Sequence, residues 1–543
     1  MGELLFGTET EYALSGTRGR KPIDLGALVH QMLQAASERL VHLPDCGSSG
    51  MFLANGARLY LDCGLHEEFA TPEVSNPWDA VRYIEAGHRT MLALTQSIAL
   101  AGQPETEIAC YRTNVDYSGS GSTWGCHESH LHKSPPNDLP AQLIPHLITR
   151  IIYTGAGGFD PLSPALEFTL SPRVAHIRQV ISRESTCDRG IFHTKNEPLS
   201  QGYNRVHILC GESLCSHLAM FLKMGATSLV VAMADAGLRP GDPVHLAAPL
   251  EALRTVAADV HCRQRLRLKG AGKGGKTAIE IQRHYLSMAE EHAGDSFMPS
   301  WAPVVCARWR RVLDLLERGP QAVDKMLDWG IKLSLYSDRA TRHGLNWDLL
   351  PVWADVAKQT NAALRETEHR DQAVPVTQAL GPESPIPAVA ARLNALLRSK
   401  GSGAGALGRM LELRAEFCEI DTRFGQLGPR GIFNMLEEAG VLDHHVNGID
   451  NGVDNIEHAL ANPPATARAK VRGDVIRRLA REPGDWRCDW NAIFSSDRTK
   501  TLDLSDPFAS DERWHEIPSA ASSPAASEDS RFHRLLAGLL ERH

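Results

Sequence analysis

Three features of the 543-residue sequence predict an α+β fold. Up to about residue 350, short β-like runs alternate with longer helical ones. No run of turn residues in that stretch is long enough to divide it into separate bodies. Several β-like runs place charged residues at every second position, the pattern of a sheet with one packed face and one polar face.

The period-two runs predict strands over residues 4–12, 57–63, 107–113, 128–132 and 205–210. Helical spacing predicts helices over 24–40, 77–101 and 214–236. In the first helix Leu25, Leu28, Val29, Met32 and Leu33 recur at helical spacing and form a core stripe. The composition then shifts to Ala, Pro, Gly and Ser over 366–408, which reads as a low-complexity surface insertion with one short helix. A second shift at 518–530 reads as a flexible linker before an amphipathic tail at 532–540, expected to dock on the body.

Charge and composition exclude several classes. The balance of 57 Lys+Arg against 65 Asp+Glu gives −8, which argues against holding nucleic acid or an anionic membrane by bulk charge. No run is expected to approach the roughly 20 apolar residues of a membrane span, and the N-terminal segment lacks the pattern of a leader. The chain therefore reads as soluble and cytoplasmic, with no nucleic-acid or membrane partner. The 11 cysteines are scattered without a C-x-x-C pair, so most should be buried thiols that pack as small hydrophobes.

Four stretches carry possible chemistry. GAGKGGKT (270–277) matches the phosphate-binding loop pattern, but a buried apolar parallel strand must precede such a loop. Here Arg263, Arg265, Arg267 and Lys269 precede it, so the stretch reads as a Gly/Lys-rich hairpin turn, and a nucleotide-hydrolysing role for Lys276 and Thr277 is the minor alternative. In HESHLH (127–132) alternation puts Glu128, His130 and His132 on one face and His127 on the other, so the run supplies at most one functional ligand. In the strand around Glu9-Thr10-Glu11 both carboxylates share a face. They repel, and a hard divalent cation such as Mg²⁺ would stabilise them, although two surface acids on an edge strand is the simpler reading in isolation. The stretch 55–73 tips that balance. Arg58, Tyr60 and Asp62 fall on one face while Leu59 and Leu61 point to the core, and Glu68 and Glu73 follow. Joined to Glu9 and Glu11, this face could hold Mg²⁺, with Arg58 for phosphate and Asp62 left as a proton acceptor.

Taken together, GTETEY (7–12), NGARLYLD (55–62), EFATPE (68–73), NVD (114–116) with WGCHE (124–128), NEP (196–198), RVHILCG (205–211), LDWGIK (327–332), NPP (462–464) with TAR (466–468) and VRG (471–473), and DW (489–490) resemble the Pup ligase and depupylase family of glutamine-synthetase-like carboxylate-amine ligases. The resemblance runs in family order from residue 7 to about 490. It implies a large catalytic domain over 1–473, in which a curved antiparallel sheet forms an open cradle backed by helices. It also implies a small C-terminal domain over 474–517. By position, Glu9, Tyr60 and Glu68 resemble Mg²⁺ ligands, with Glu11, His127 and His207 as further candidates. Arg58, Thr71 and Trp490 resemble ATP contacts and Asp62 the catalytic base; Arg468 and Arg472 are added as phosphate partners from charge and position.

The resemblance implies ATP and Mg²⁺ as cofactors. It implies transfer of the γ-phosphoryl of ATP to the side-chain carboxylate of a C-terminal glutamate on a Pup-like small protein, or on another glutamate-terminated molecule. Attack by the lysine of a protein, or by a small amine, would then form an isopeptide bond. The short 12–55 separation and the spacing of Asp62 to Glu68 resemble the ligases, whereas 72–74, 79–81 and the 309–347 region resemble the depupylases, which cleave that bond. The balance leans to ligase. TKNEPL (194–199) departs from the family's pattern, losing an Arg, an acid and a His, so the partner face is expected to have drifted. A catalytically silent ATP-binding adaptor is the remaining alternative.

Overall fold

Phe6–Arg18 forms a thirteen-residue strand, β1, whose first half has a strand on either side. In this computed structural model, which describes residues 4–102, 105–163, 165–182, 189–193, 202–270, 274–368, 374–450 and 454–516, β1 is followed by β2 (Lys21–Pro22), β3 (His42–Pro44), β4 (Gly50–Leu53), β5 (Arg58–Asp62), β6 (His66–Ala70), β7 (Thr106–Tyr111) and β8 (Cys126–His132). Then come β9 (Gly158–Phe159) and β10 (Phe168–Thr169), which pair with each other, and β11 (Gln179–Ser182), β12 (Gly190–His193) and β13 (Asn204–Ile208). One sheet of eleven strands runs in the order β11-β12-β13-β8-β1-β6-β5-β4-β3, with β2 and β7 on the far half of β1. Only the β11–β12 pair is parallel. The expected strands are all present; β1 runs six residues past its expected end, and the others end within a few residues of theirs.

The helices Leu25–Arg39, Pro77–Ala101 and His217–Asp235 pack on one side of this sheet, as the period-two pattern requires. Pro77–Ala101 starts on Asn76, whose side chain accepts the Asp79 amide at 2.9 Å, and buries Val81, Ile84, Met91 and Leu94. His217–Asp235 is buried along nearly its whole length. This helix has the length and mean hydropathy (1.5) of a membrane span, contrary to the sequence expectation, yet 94% of its most apolar stretch is enclosed by the fold. Leu25–Arg39 buries Leu28, Val29 and Met32 as expected, while Leu25 stays exposed in its first turn.

Alternation in β8 has a clear structural consequence. Glu128 faces the helices and is fully buried, where Arg150 grips it with two bonds of 2.6 and 2.8 Å and the Lys223 ammonium stands 3.6 Å away. A buried carboxylate needs such partners, and these cations hold Glu128 ionised against its desolvation. His127, one residue earlier, emerges on the opposite face.

One expectation is corrected and one minor alternative is removed. The stretch 366–408 holds three helices, Val376–Ala379, Pro387–Ser399 and Ala404–Glu412, instead of one. They bury Leu393, Leu397 and Leu407 in a cluster with Leu350 and Trp353; alanine-rich composition hid an ordinary apolar stripe. The phosphate-loop match begins after β14 (Leu266–Arg267) and takes in β15 (Gly275–Lys276), which pair antiparallel as the hairpin reading expects. Thr277 there caps the helix Ala278–Glu291 through a capping box with Glu280. That geometry, a hairpin where a buried parallel strand is required, removes the nucleotide role of Lys276 and Thr277.

At the C-terminal end, Ala467–Leu479 is followed by an antiparallel meander of β16 (Trp486–Cys488), β17 (Ala492–Ser495), β18 (Lys500–Asp503) and β19 (Trp514–Glu516). Ile493, Leu502 and Leu504 pack on Val475 and Ile476, and Leu43 and Phe52 of the main sheet complete the cluster. Of the ten described cysteines, eight are buried. The segments 194–199, 518–530 and 532–540 lie outside the described residues.

Glu67 is a second buried acid on the underside, and unlike Glu128 it has no cation beside it among the described residues. Its carboxyl is fully buried beneath β6, opposite Tyr12 and Leu61, with no hydrogen-bond partner among the described residues. Burial alone pushes its pKa up to about 8. The folded state therefore keeps a proton that the unfolded chain loses above its ordinary value near 4.5, so wild-type stability falls between pH 4.5 and 8 by about 1.4 kcal/mol per unit from this group. Glu67→Gln should gain on wild type across that window and hold a constant advantage above it. Urea unfolding at pH 5, 7 and 9 measures this; an offset independent of pH would contradict it.

Candidate active site

Register assembles the polar face. Across β1 and β6, Glu9 stands opposite Ala70 and Glu11 opposite Glu68; across β6 and β5, Arg58 stands opposite Ala70, Tyr60 opposite Glu68 and Asp62 opposite His66. Across β1 and β8, Glu9 stands opposite His127, and His207 on β13 stands opposite Ser129. Directly opposed residues in an antiparallel pair share a face, so all the predicted acids and both predicted histidines project to one side.

They form two adjoining groups. Glu9, His127 and His207 make one, and Glu11, Asp62 and Glu68 the other; within each, the ligand atoms lie within 4.8 Å of one another. In the first, the Glu9 carboxylate is 4.0 Å from His127 Nδ1 and 3.8 Å from His207 Nε2. Burial and the facing His207 hold His127 neutral, with its pKa lowered to about 3. In the second, Glu68 is buried and accepts a hydrogen bond from the Tyr60 hydroxyl. Burial and the charges of Glu9, Glu11 and Asp62 push Glu68 well above the carboxylate range. Glu11 behaves oppositely: burial raises it, but His66, His127 and Arg173 outweigh burial and bring it to about 2. Its Oε2 takes bonds from His66 Nδ1 and from the Gly125 amide, both at 3.0 Å. Gly125 is required here, because a Cβ would stand 2.6 Å from His127 Nε2.

Oxygen donors of this density suit a hard divalent cation, and the residues fit one. Burial and its charged neighbours force Glu68 to keep a proton; a cation between the two groups would oppose both effects. Asp62, on the rim, has its pKa raised by burial and by Glu11 and Glu9, against the Cys63 amide and His66. A raised carboxylate is a stronger proton acceptor.

Beside Glu9 opens a cleft lined by Thr71, Ser129, Arg205, Arg468 and Trp490. Thr71 Oγ1 accepts the Thr8 amide at 3.0 Å, and Trp490 meets Phe52 edge-on at 5.1 Å. Arg58 stacks on the Tyr60 ring at 3.9 Å and is held by Asp45, Nε to Oδ2 at 2.7 Å, and by Ser48. The structure corrects one expected phosphate partner. Arg472 is fully buried and gives its donors to Gly56 O and Glu73, with the Trp490 ring 4.7 Å away. No face of it is left for phosphate. Arg468 shares Glu73, at 2.7 Å, and also reaches the cleft. Burial raises Glu73, but the two guanidinium groups prevail and bring it to about 2.

The sequence reading missed Arg205, which period two places on the face of His207. It also missed His66, signalled only by the register against Asp62, and Asp45, which no spacing connects to Arg58.

With this geometry in view, the sequence matches the family model for the Pup-ligase protein over residues 4–358 and 410–494. The chain belongs to this family. By membership it is an enzyme of the ligase class. The stretch left between the two matched segments contains most of the three-helix insertion. The Pup–protein ligase of Kineococcus radiotolerans is 28% identical over 534 residues, covering 94% of this chain and 98% of the relative. Pup–protein ligase 1 of Rhodococcus erythropolis is 30% identical over 477 residues, covering 86% and 89%. Among solved structures, the ligase PafA in complex with Pup matches 99% of this chain and 94% of its own at TM-score 0.70 and 23% identity. PafA in complex with ADP matches 89% and 91% at TM-score 0.63 and 24% identity. At these identities the solved structures establish the shared fold.

Two outcomes follow. Adding Mg²⁺ at pH 7 should release protons, seen as a calorimetric heat that varies with the buffer's ionisation enthalpy, and Glu68→Gln should abolish that variation; buffer-independent heat in wild type would contradict it. Glu73→Ala leaves two buried guanidinium groups without their anion and should cost about 3–5 kcal/mol in denaturant unfolding; a loss below about 1 kcal/mol would refute the clamp.

Proposed function

We propose that this chain is an ATP- and Mg²⁺-dependent ligase that joins the side-chain carboxylate of a C-terminal glutamate, on a Pup-like small protein, to a lysine amine. The observation that carries the reading is the pairing of the two ligand groups on one sheet face with the adjoining cleft of Thr71, Arg205, Arg468 and Trp490. The family membership and the complexes of PafA with Pup and with ADP support the choice of partner and nucleotide.

Each side chain then has a physical task. Glu9, Tyr60 and Glu68, with Glu11, His127 and His207 beside them, would hold Mg²⁺. When bound, the ion neutralises charge spreading over the transferring phosphoryl oxygens. Trp490 offers a flat apolar surface to the nucleotide. Thr71 is a hydroxyl contact at the same cleft, and Arg468 with Arg205 supplies positive charge there. Arg58, oriented by Asp45 and Tyr60, directs its remaining donor toward phosphate. Phosphoryl transfer converts the glutamate carboxylate into an acyl phosphate. The lysine nitrogen attacks that carbonyl, Asp62 takes the amine's proton, and phosphate leaves as the isopeptide bond forms.

The depupylase reading keeps the same face and is favoured by the 72–74 segment. Glu73 in that segment clamps two arginines instead of facing substrate, which weakens the likeness.

The test is incubation of the chain with ATP, Mg²⁺, a glutamate-terminated Pup-like protein and a lysine-bearing acceptor. Conjugate should accumulate, and Asp62→Asn should slow its formation by about 10²-fold or more while nucleotide binding persists. Conjugation at the wild-type rate in Asp62→Asn would overturn the base assignment, and net release of free lysine from an authentic conjugate would select the depupylase.

A further inference from the structure

Away from the sheet face, His217, His444 and His445 converge, with ring nitrogens within 4.8 Å of one another. His217 is the first residue of the helix His217–Asp235, and His444 and His445 sit in the segment that caps it. The Leu218 amide donates to His444 O at 2.9 Å and the His217 amide to His444 Nδ1 at 3.2 Å. Two carboxylates border the cluster. Glu437 Oε1 lies 3.2 Å from His444 Nε2 and 3.9 Å from His445 Nε2, and Glu85 Oε1 lies 3.8 Å from His217 Nε2. His217 and His444 are buried, whereas the His445 side chain is 62% exposed and leaves the cluster open to solvent.

We propose that His217, His444 and His445, with Glu437 as fourth donor, form a second metal site, for a divalent transition metal of which Zn²⁺ is the best fit. Three imidazoles and one carboxylate are a donor set for four-coordinate zinc and a poor one for Mg²⁺ or Ca²⁺, which take oxygen ligands. Imidazole binds metal in its neutral form. His444 in the metal-free arrangement keeps its proton on Nε2, facing Glu437, because Nδ1 accepts an amide. Loading moves that proton to Nδ1 and exchanges the 3.2 Å amide bond for a bond to the metal. The positive end of the helix dipole opposes a cation here, and Glu85 and Glu437 supply the compensating charge. The ion would fasten the first turn of the buried helix to the helix Ile432–Glu438 and the segment after it, independently of the proposed ligase activity.

The test is titration of the chelator-stripped full chain with Zn²⁺, and with Co²⁺ as a spectroscopic probe. To exclude zinc held by the acidic face, the same titration is run on Glu9→Gln/His127→Ala/His207→Ala. One equivalent should bind in both proteins, with the visible absorption of four-coordinate Co²⁺. His445→Ala, at an exposed position that leaves the fold intact, should weaken binding by about 10- to 100-fold, and His217→Ala/His445→Ala should abolish it. Zinc affinity unchanged in His445→Ala, loss of the equivalent in the acidic-face variant, or a six-coordinate Co²⁺ spectrum would each overturn the proposal.

Discussion

Four carboxylates within one small area of a sheet is the constraint on which the rest of this structure depends. Glu9, Glu11, Asp62 and Glu68 come together because β1, β5 and β6 are in register, and their mutual repulsion must be answered locally. The protein answers it unequally. Glu11 is given His66, Arg173 and the Gly125 amide and stays ionised, whereas Glu68 is given only the Tyr60 hydroxyl and is driven to keep its proton. A cation bound to a face divided in this way would draw the proton off Glu68.

Holding the strands of such a face in register requires a strong underside. Glu128 is anchored by Arg150 and Lys223 directly behind His127, so the histidine that borders the acidic cluster sits on a strand fixed from the opposite side. Glu73 plays the corresponding part at the edge. It ties Arg468 and Arg472 of the C-terminal helix to the strand end that follows β6, and this carries Trp490 to the mouth of the cleft. Each anchor is a buried charge whose partners are all present, which fixes orientation more than it adds stability.

Much of this was legible in the sequence, because the period of two is strict. Glu9 with Glu11, Arg58 with Tyr60 and Asp62, and the opposite facing of His127 and Glu128 all follow from counting residues, and the structure has each as counted. Family motifs then joined runs that alternation could not. What escaped depends on register and on side-chain reach. Asp45, just after β3, reaches Arg58 on β5 past the intervening β4, His66 meets Glu11 only once β6 is aligned, and Arg472 looks like a phosphate ligand until its burial against Gly56 is seen. The helices of 376–412 escaped for a different reason: alanine-rich sequence has good helix propensity, but it shows little polar contrast around a thin stripe of leucines. The cluster of His217, His444 and His445 spans more than 220 positions, and no local pattern signals it.

The central claim is that the acidic face and its cleft activate a carboxylate as an acyl phosphate. Hydroxylamine supplied in place of the lysine acceptor tests it most directly, with ATP, Mg²⁺ and a glutamate-terminated peptide present. An ATP-dependent hydroxamate at the terminal glutamate, formed together with ADP and phosphate, is the result this account predicts. Conjugate formation or cleavage without any hydroxamate would contradict it.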